Sequence, residues 1–303
     1  MKKLTGLIAA PFTPLDSSGQ LALDQVDQLA KLYQENQVQG AFICGTTGEG
    51  ASLSRKEKEL MMERWGQVKG KIETIFMLGG TSVAEMQDLA HCAVTNNMDG
   101  VAILCPYFLK PKDSSDLVDV CASIAQCAPS LPFYYYHIPA ITGGYFPMLN
   151  FLHLAENRIP NFAGIKYTHA DIMGYHACRR YKNGKYSILW GTDEALLSGL
   201  VIGVEGAVGS TYNYAAPLYN RLIDAFQAGD LEKAEALQFK SVQMVQLLQK
   251  YGGIGTGKAF MKIIGVDCGW FRAPVHSPTQ SDVAALKADL EGIGFFDFCS
   301  QLQ

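Results

Sequence analysis

No apolar run in this 303-residue chain approaches the roughly 20 residues needed to cross a bilayer, which argues against a membrane span. Long blocks of like charge are also missing. The 25 basic and 29 acidic side chains leave a formal net charge of −4 spread along the chain. That balance argues against nucleic acid or an anionic membrane surface as a partner. No C-x-x-C pair occurs among Cys44, Cys92, Cys105, Cys121, Cys127, Cys178, Cys268 and Cys299. Most of these lie in apolar periodic segments, so buried free thiols of a reducing, cytoplasmic compartment are expected rather than a disulfide framework. His91, His137, His153, His169, His176 and His276 show neither H-x-H nor H-E-x-x-H spacing, which leaves a zinc mechanism without ligands. Linker-like and low-complexity segments are lacking too. The opening "MKKLTGLIAAPF" imitates a signal peptide, but Pro11 and Pro14 follow at once, and a first strand is the expected reading.

What the chain does contain is an ordinary globular balance, 48% hydrophobic and 18% charged, with short apolar runs alternating with longer amphipathic ones. After "LTGLIAAPF" comes "LDQVDQLAKLYQENQ", where Leu23, Val26, Leu29, Ala30 and Tyr33 fall on one helical face. "GAFICG" precedes a helix from Ser54, announced by the capping-box pattern "SRKE". The alternation continues to "GAVGSTYN" and "APLYNRLIDAFQAG". Eight strand–helix pairs within residues 1–228 predict an α/β fold, a closed (β/α)8 TIM barrel. The alternative, an open doubly wound sheet, would carry a Gly-rich turn after its first strand, and "IAAPFTPLD" is not one. From Asp230 on the pattern is helical only, so residues 229–303 are expected to form a C-terminal helical appendage, an oligomer or lid element.

One motif misleads. "GGIGTGKA", residues 252 to 259, has the G-x-x-x-x-G-K spacing of a phosphate-binding loop. Ala259 stands where Ser or Thr should hold magnesium, and a helical stretch rather than a buried strand precedes it. A glycine-rich hinge between helices is the expected reading.

In an eightfold barrel the chemistry sits at the C-terminal ends of the strands. Strand two ends in "GTTGEG", whose small residues and backbone N–H groups suit a carboxylate or phosphate. Strand five ends at Tyr136 and His137, strand six on Lys166, strand seven in "GTDE" and strand eight in "GSTYN". One lysine, one tyrosine, several hydroxyls and two carboxylates converge, and nothing resembles a metal cluster. This set suits imine chemistry. A lysine in an apolar barrel mouth has its charged form disfavoured, and the neutral amine can attack a ketone. The protonated imine then serves as an electron sink for cleavage of a carbon–carbon bond.

In their order and spacing, "GTTGEG", "YYYHIPAITG", "GIKYT" and "GAVGSTYN" resemble the pyruvate-dependent class I aldolases, the family of dihydrodipicolinate synthase and N-acetylneuraminate lyase. The resemblance covers nearly the whole chain and implies a barrel that assembles as a homotetramer, with no metal and no cofactor beyond the covalent imine. It implies that Lys166 forms that imine with C2 of pyruvate or of a 2-keto acid. Tyr136 would move protons at the reacting oxygen. Thr46 and Thr47 would hold the pyruvate carboxylate, Thr47 also orienting Tyr136. Dihydrodipicolinate synthases follow their Tyr-x-x-Pro segment with an arginine for a second carboxylate, where this chain has Ile141. Gly191, Thr192, Asp193 and Glu194 match the Gly-x-Asp-Glu of members that cleave sialic acid, the two acids binding a polyol tail. Thr168 and Ser210 match further sugar contacts.

The resemblance, especially to animal-type members in "YYYHIPA" and "GSTYNY", implies retro-aldol cleavage of N-acetylneuraminate to N-acetylmannosamine and pyruvate. Action on a different 2-keto-3-deoxy sugar acid, a dihydrodipicolinate synthase-like condensation, and a catalytically silent barrel that senses a sugar acid are the alternatives. One departure stands out. Where many members donate a tyrosine across a subunit interface, this chain has Phe108, preceded by Tyr107.

Overall fold

Runs of small, branched and aromatic residues form strands buried on both faces, as Gly-Ala-Phe-Ile at residues 40–43 does along its whole length. The computed structural model describes residues 3–302. Its eight parallel strands are β1 (Gly6–Ala9), β2 (Gly40–Ile43), β3 (Glu73–Met77), β4 (Gly100–Leu104), β5 (Phe133–His137), β6 (Phe162–Tyr167), β7 (Ser187–Trp190) and β8 (Gly206–Gly209). They pair in chain order, and β8 returns to β1 through Gly6↔Gly206 and Ala9↔Gly209, closing the barrel. The expected (β/α)8 fold is the one observed.

Alternation along the strands splits the core in two. Ile8, Phe42, Ile75, Tyr134, Leu189 and Val208 fill the barrel interior, whereas Leu7, Ile43, Phe76, Tyr135 and Ile165 pack outward beneath the helices. Helix starts follow their sequence signals. Ser54 caps the helix Arg55–Val68 with a full capping box to Glu57, and Ser82 caps Val83–Thr95.

Three features depart from the sequence reading. Strand six does not end on Lys166 but runs on to Tyr167, which pairs with His137 and Trp190. The helix after β7 is only Leu196–Val201, preceded by a tight 3-10 turn over Asp193–Ala195. The tail is not helical throughout. Between Gly257–Ile263 and Gln280–Gly292, residues 265–279 run without helix or strand, in a stretch that holds Gly265, Gly269, Pro274 and Pro278. Pro and Gly disfavour a continuous helix there.

The long tail helix Leu231–Lys250 packs along Tyr212–Gln227, and Met244, Phe260 and Phe295 join the same apolar cluster as the outer barrel layer. Among the described residues no helix is long and apolar enough to cross a membrane.

Candidate active site

Two strand neighbours create the centre of the site. On β5 and β6, Tyr136 pairs with Lys166, two residues after Tyr134 pairs with Gly164. Phe133 pairs with Phe162, however, so Ala163 is an extra residue on β6. This bulge resets the phase of the strand. It leaves Lys166 on the inner face with Tyr136, while Ile165 and Tyr167 pack outward. Gly164 completes the device, because a Cβ there would collide with the Ser187 carbonyl.

A cavity of about 330 Å3 opens at the C-terminal end of the barrel. Its wall includes Thr46, Thr47, Tyr136, Lys166, Thr168, Gly191, Asp193, Glu194 and Ser210, so every residue singled out from the sequence for the site meets in one place. Lys166, Asp193 and Glu194 are the charged side chains of that wall among the described residues. Ile141 lies outside it, 61% exposed on the short helix Pro139–Thr142.

The setting of Lys166 is singular. Among the described residues four lysines are buried: Lys58, Lys69, Lys166 and Lys258. Three reach a carboxylate, Lys58 to Glu85 at 2.9 Å, Lys69 to Asp99 at 2.8 Å and Lys258 to Glu49 at 2.7 Å. Lys166, only 4% exposed, has no ion-pair or hydrogen-bond partner among the described residues. Its Nζ lies 4.1 Å from the centroid of the Tyr136 ring and 4.5 Å from that of Phe42. Its Nζ is thus committed to no carboxylate and stands at the cavity wall, within reach of a carbonyl group that enters.

The turn after β2 is tightly drawn. Cys44 and Glu49 both adopt left-handed backbone angles, and a Cβ at Gly50 would collide with the Cys44 carbonyl. The N–H of Gly50 donates to the Gly45 carbonyl at 3.1 Å, and the Thr13 hydroxyl holds the Gly48 carbonyl. Thr46 and Thr47 are thereby offered to the cavity. Thr47 and Tyr136 share the cavity wall without a hydrogen bond between them. Burial pushes the Cys44 thiol up to about 12, which keeps it protonated and inert.

On the opposite wall Asp193 is buried, and its carboxylate accepts from the N–H of Thr211 at 2.9 Å and from the Thr211 hydroxyl at 2.6 Å. The hydroxyls of Tyr219 and Ser241 extend this chain inward. Burial raises the Asp193 carboxyl to about 6 against those hydrogen bonds. A Cβ at Gly209 would collide with the same carboxylate, and one at Gly191 with the Thr168 hydroxyl. Glu194 is exposed at the rim. His137, next to Tyr136, faces outward among Tyr135, Tyr167 and His169, where burial lowers its pKa to about 4.

Sequence reasoning did not single out Thr211, although it follows Ser210 directly. It also missed the tail's share of the wall, made by Val245, Leu248, Gln249, Gly253 and Ile254. No local signal marks those residues, because their role comes from how the tail helix lies across the mouth.

The family model described as "Dihydrodipicolinate synthetase family" matches residues 3–293. The chain belongs to that family. It is 36% identical to the N-acetylneuraminate lyase of Rattus norvegicus over 98% of this chain and 95% of that protein. With the Gallus gallus N-acetylneuraminate lyase it shares 38% identity over 96% and 97% of the two chains. The solved Proteus mirabilis N-acetylneuraminate lyase superposes with a TM-score of 0.95 at 38% identity, covering 97% of this chain and all 100% of that one.

Proposed function

We propose that this protein is a carbon–carbon lyase, a class I aldolase that cleaves N-acetylneuraminate to N-acetylmannosamine and pyruvate. The single observation that carries the chemistry is Lys166: the one buried lysine without a carboxylate partner among the described residues, lining a cavity beside Tyr136. The substrate comes from the N-acetylneuraminate lyases that the chain resembles along nearly its full length. The wall composition agrees: hydroxyls and two acids suit a polyol, and among the described residues no arginine lines the cavity for a second carboxylate.

In this reading the Lys166 amine attacks the C2 ketone of the open-chain sugar acid, and the Tyr136 phenol gives its proton to the oxygen that departs as water, leaving a protonated imine and a phenolate. The Tyr136 phenolate then accepts the proton of the C4 hydroxyl as the C3–C4 bond breaks. The bonding electrons pass into the imine, releasing the aldehyde N-acetylmannosamine and leaving an enamine. Protonation at C3 and addition of water release pyruvate and restore Lys166. Thr46 and Thr47 hold the carboxylate, and Asp193, Glu194, Thr168, Ser210 and the Gly191 backbone receive the sugar tail. No metal or other cofactor enters this scheme.

We assign residues 1–228 to the catalytic barrel domain and residues 229–303 to a C-terminal region whose helices close one side of the mouth. We place the enzyme in the reducing cytoplasm, where its eight free cysteines persist. It assembles as a homotetramer, for which Phe108 and Leu109, both 82% exposed, offer apolar surface; light scattering gives the mass directly.

Borohydride reduction in the presence of pyruvate, followed by peptide mass spectrometry, tests the imine. A stable adduct on Lys166 is expected, and its absence from an active sample rules the scheme out. A panel of sugar acids tests the substrate, and turnover of short, unacetylated acids alone would assign the chain to a different 2-keto-3-deoxy acid.

A further inference from the structure

The misleading "GGIGTGKA" segment has a lysine with an unexpected destination. Lys258 is fully buried, and its Nζ lies 2.7 Å from Oε1 of Glu49 and 3.1 Å from the Trp270 carbonyl, which accepts its second hydrogen bond. The glycines before it serve close packing. A Cβ at Gly257 would collide with the Phe12 ring and one at Gly255 with the His276 carbonyl. Glu49 is the acid of "GTTGEG", and the tail holds it from a second direction, since the backbone N–H of Arg272 donates to Oε2 at 2.8 Å. The Arg272 guanidinium then donates to the Gly19 carbonyl at 2.7 Å and pairs with Glu57 of the neighbouring helix cap.

We infer that Glu49 is a positioning residue, clamped by Lys258 and Arg272 of the tail, that sets the turn presenting Thr46 and Thr47 and so tunes affinity for the substrate's carboxylate. Glu49 sits two residues from Thr47 at the left-handed end of a turn with both carboxylate oxygens committed to the tail. A turn with left-handed residues at both ends relaxes unless its surroundings over-determine it. Two charge-assisted hydrogen bonds in a dry site supply that constraint. The tail thereby acts on the first contact a keto acid makes, although neither Glu49 nor Lys258 lines the cavity of Lys166. This rests on the reading that Thr46 and Thr47 seat the carboxylate.

The test measures borohydride trapping on Lys166 against pyruvate concentration, with a carboxylate-free ketone, acetone, as the comparison. Glu49→Gln and Lys258→Met are expected to raise the half-saturating pyruvate concentration about ten-fold. Adduct at saturating pyruvate and trapping by acetone should stay near wild type. Because a lone buried charge can prevent folding, the double variant Glu49→Met/Lys258→Met provides the decisive arm. It leaves no unpaired charge, so its thermal midpoint is expected near wild type while the pyruvate shift persists. A folded double variant with the wild-type pyruvate curve overturns the inference. If instead wild type traps pyruvate no more readily than acetone, and Thr47→Val changes nothing, the carboxylate seat itself is wrong.

Discussion

Lys166 and Lys258 are both buried lysines at the same end of the barrel, yet their surroundings differ in kind. Lys258 is enclosed with Glu49 at 2.7 Å and lies over the Phe271 ring. Lys166 lies over two aromatic rings at the wall of an open cavity and has no carboxylate partner among the described residues. The first arrangement satisfies a charge and locks two segments together. The second leaves a nitrogen available. Burial alone therefore does not mark a reactive lysine; burial without a partner, facing a space the size of a small molecule, does.

Exchanging the burden on each lysine should break the comparison in opposite ways. The largest effect is expected for Lys166→Ala, which should reduce cleavage by more than about 10^4-fold without lowering stability, read by a pyruvate-release assay beside a thermal melt. A loss of stability comparable to that of Lys258→Ala would erase the distinction. Next, Lys258→Ala should cost about 3–5 kcal/mol in chemical denaturation, because Glu49 is left buried with its charge uncompensated. Tyr136→Phe should lower kcat about 10^2- to 10^3-fold while imine trapping on Lys166 persists, separating proton transfer from nucleophilic attack.

The smallest effect concerns Asp193, whose buried carboxyl is raised to about 6 from an ordinary 3.8. The folded state then binds the proton more tightly than the unfolded one. Asp193 therefore opposes folding when ionised, and that penalty fades as pH falls from about 6 to about 4. Relative to Asp193→Asn, wild type should gain unfolding free energy across that window, measured by denaturant titration at stepped pH. A parallel pair of curves would show that Asp193 is not desolvated as described.

Much of the architecture was legible because each piece carried a local signal. Eight apolar runs alternating with amphipathic ones required a parallel sheet covered by helices, and Ser54 and Ser82 announced their helices by capping chemistry. The ends of β5 and β6 were read to within a residue and the motifs after β2, β7 and β8 begin within two residues of their strand ends, which sufficed to bring Lys166, Tyr136, Thr46 and Thr47 to one rim. Where the reading of strand six stopped at Lys166, the ladder ran one residue further, since pairing extends as long as both neighbours offer backbone partners.

The sequence by itself determined the order of elements and the chemical types gathered at the barrel mouth, because periodicity and turn chemistry are local properties. Tertiary structure decided the rest. The bulge at Ala163 that turns Lys166 inward depends on how β6 registers against β5. Pairing is likewise a matter of space: Glu49 and Lys258 are 209 residues apart, and their contact exists only because the tail folds back across the mouth. Which buried lysine is silenced by a carboxylate and which is left to react is settled by that folding back, since charge compensation depends on distance in space and not along the chain.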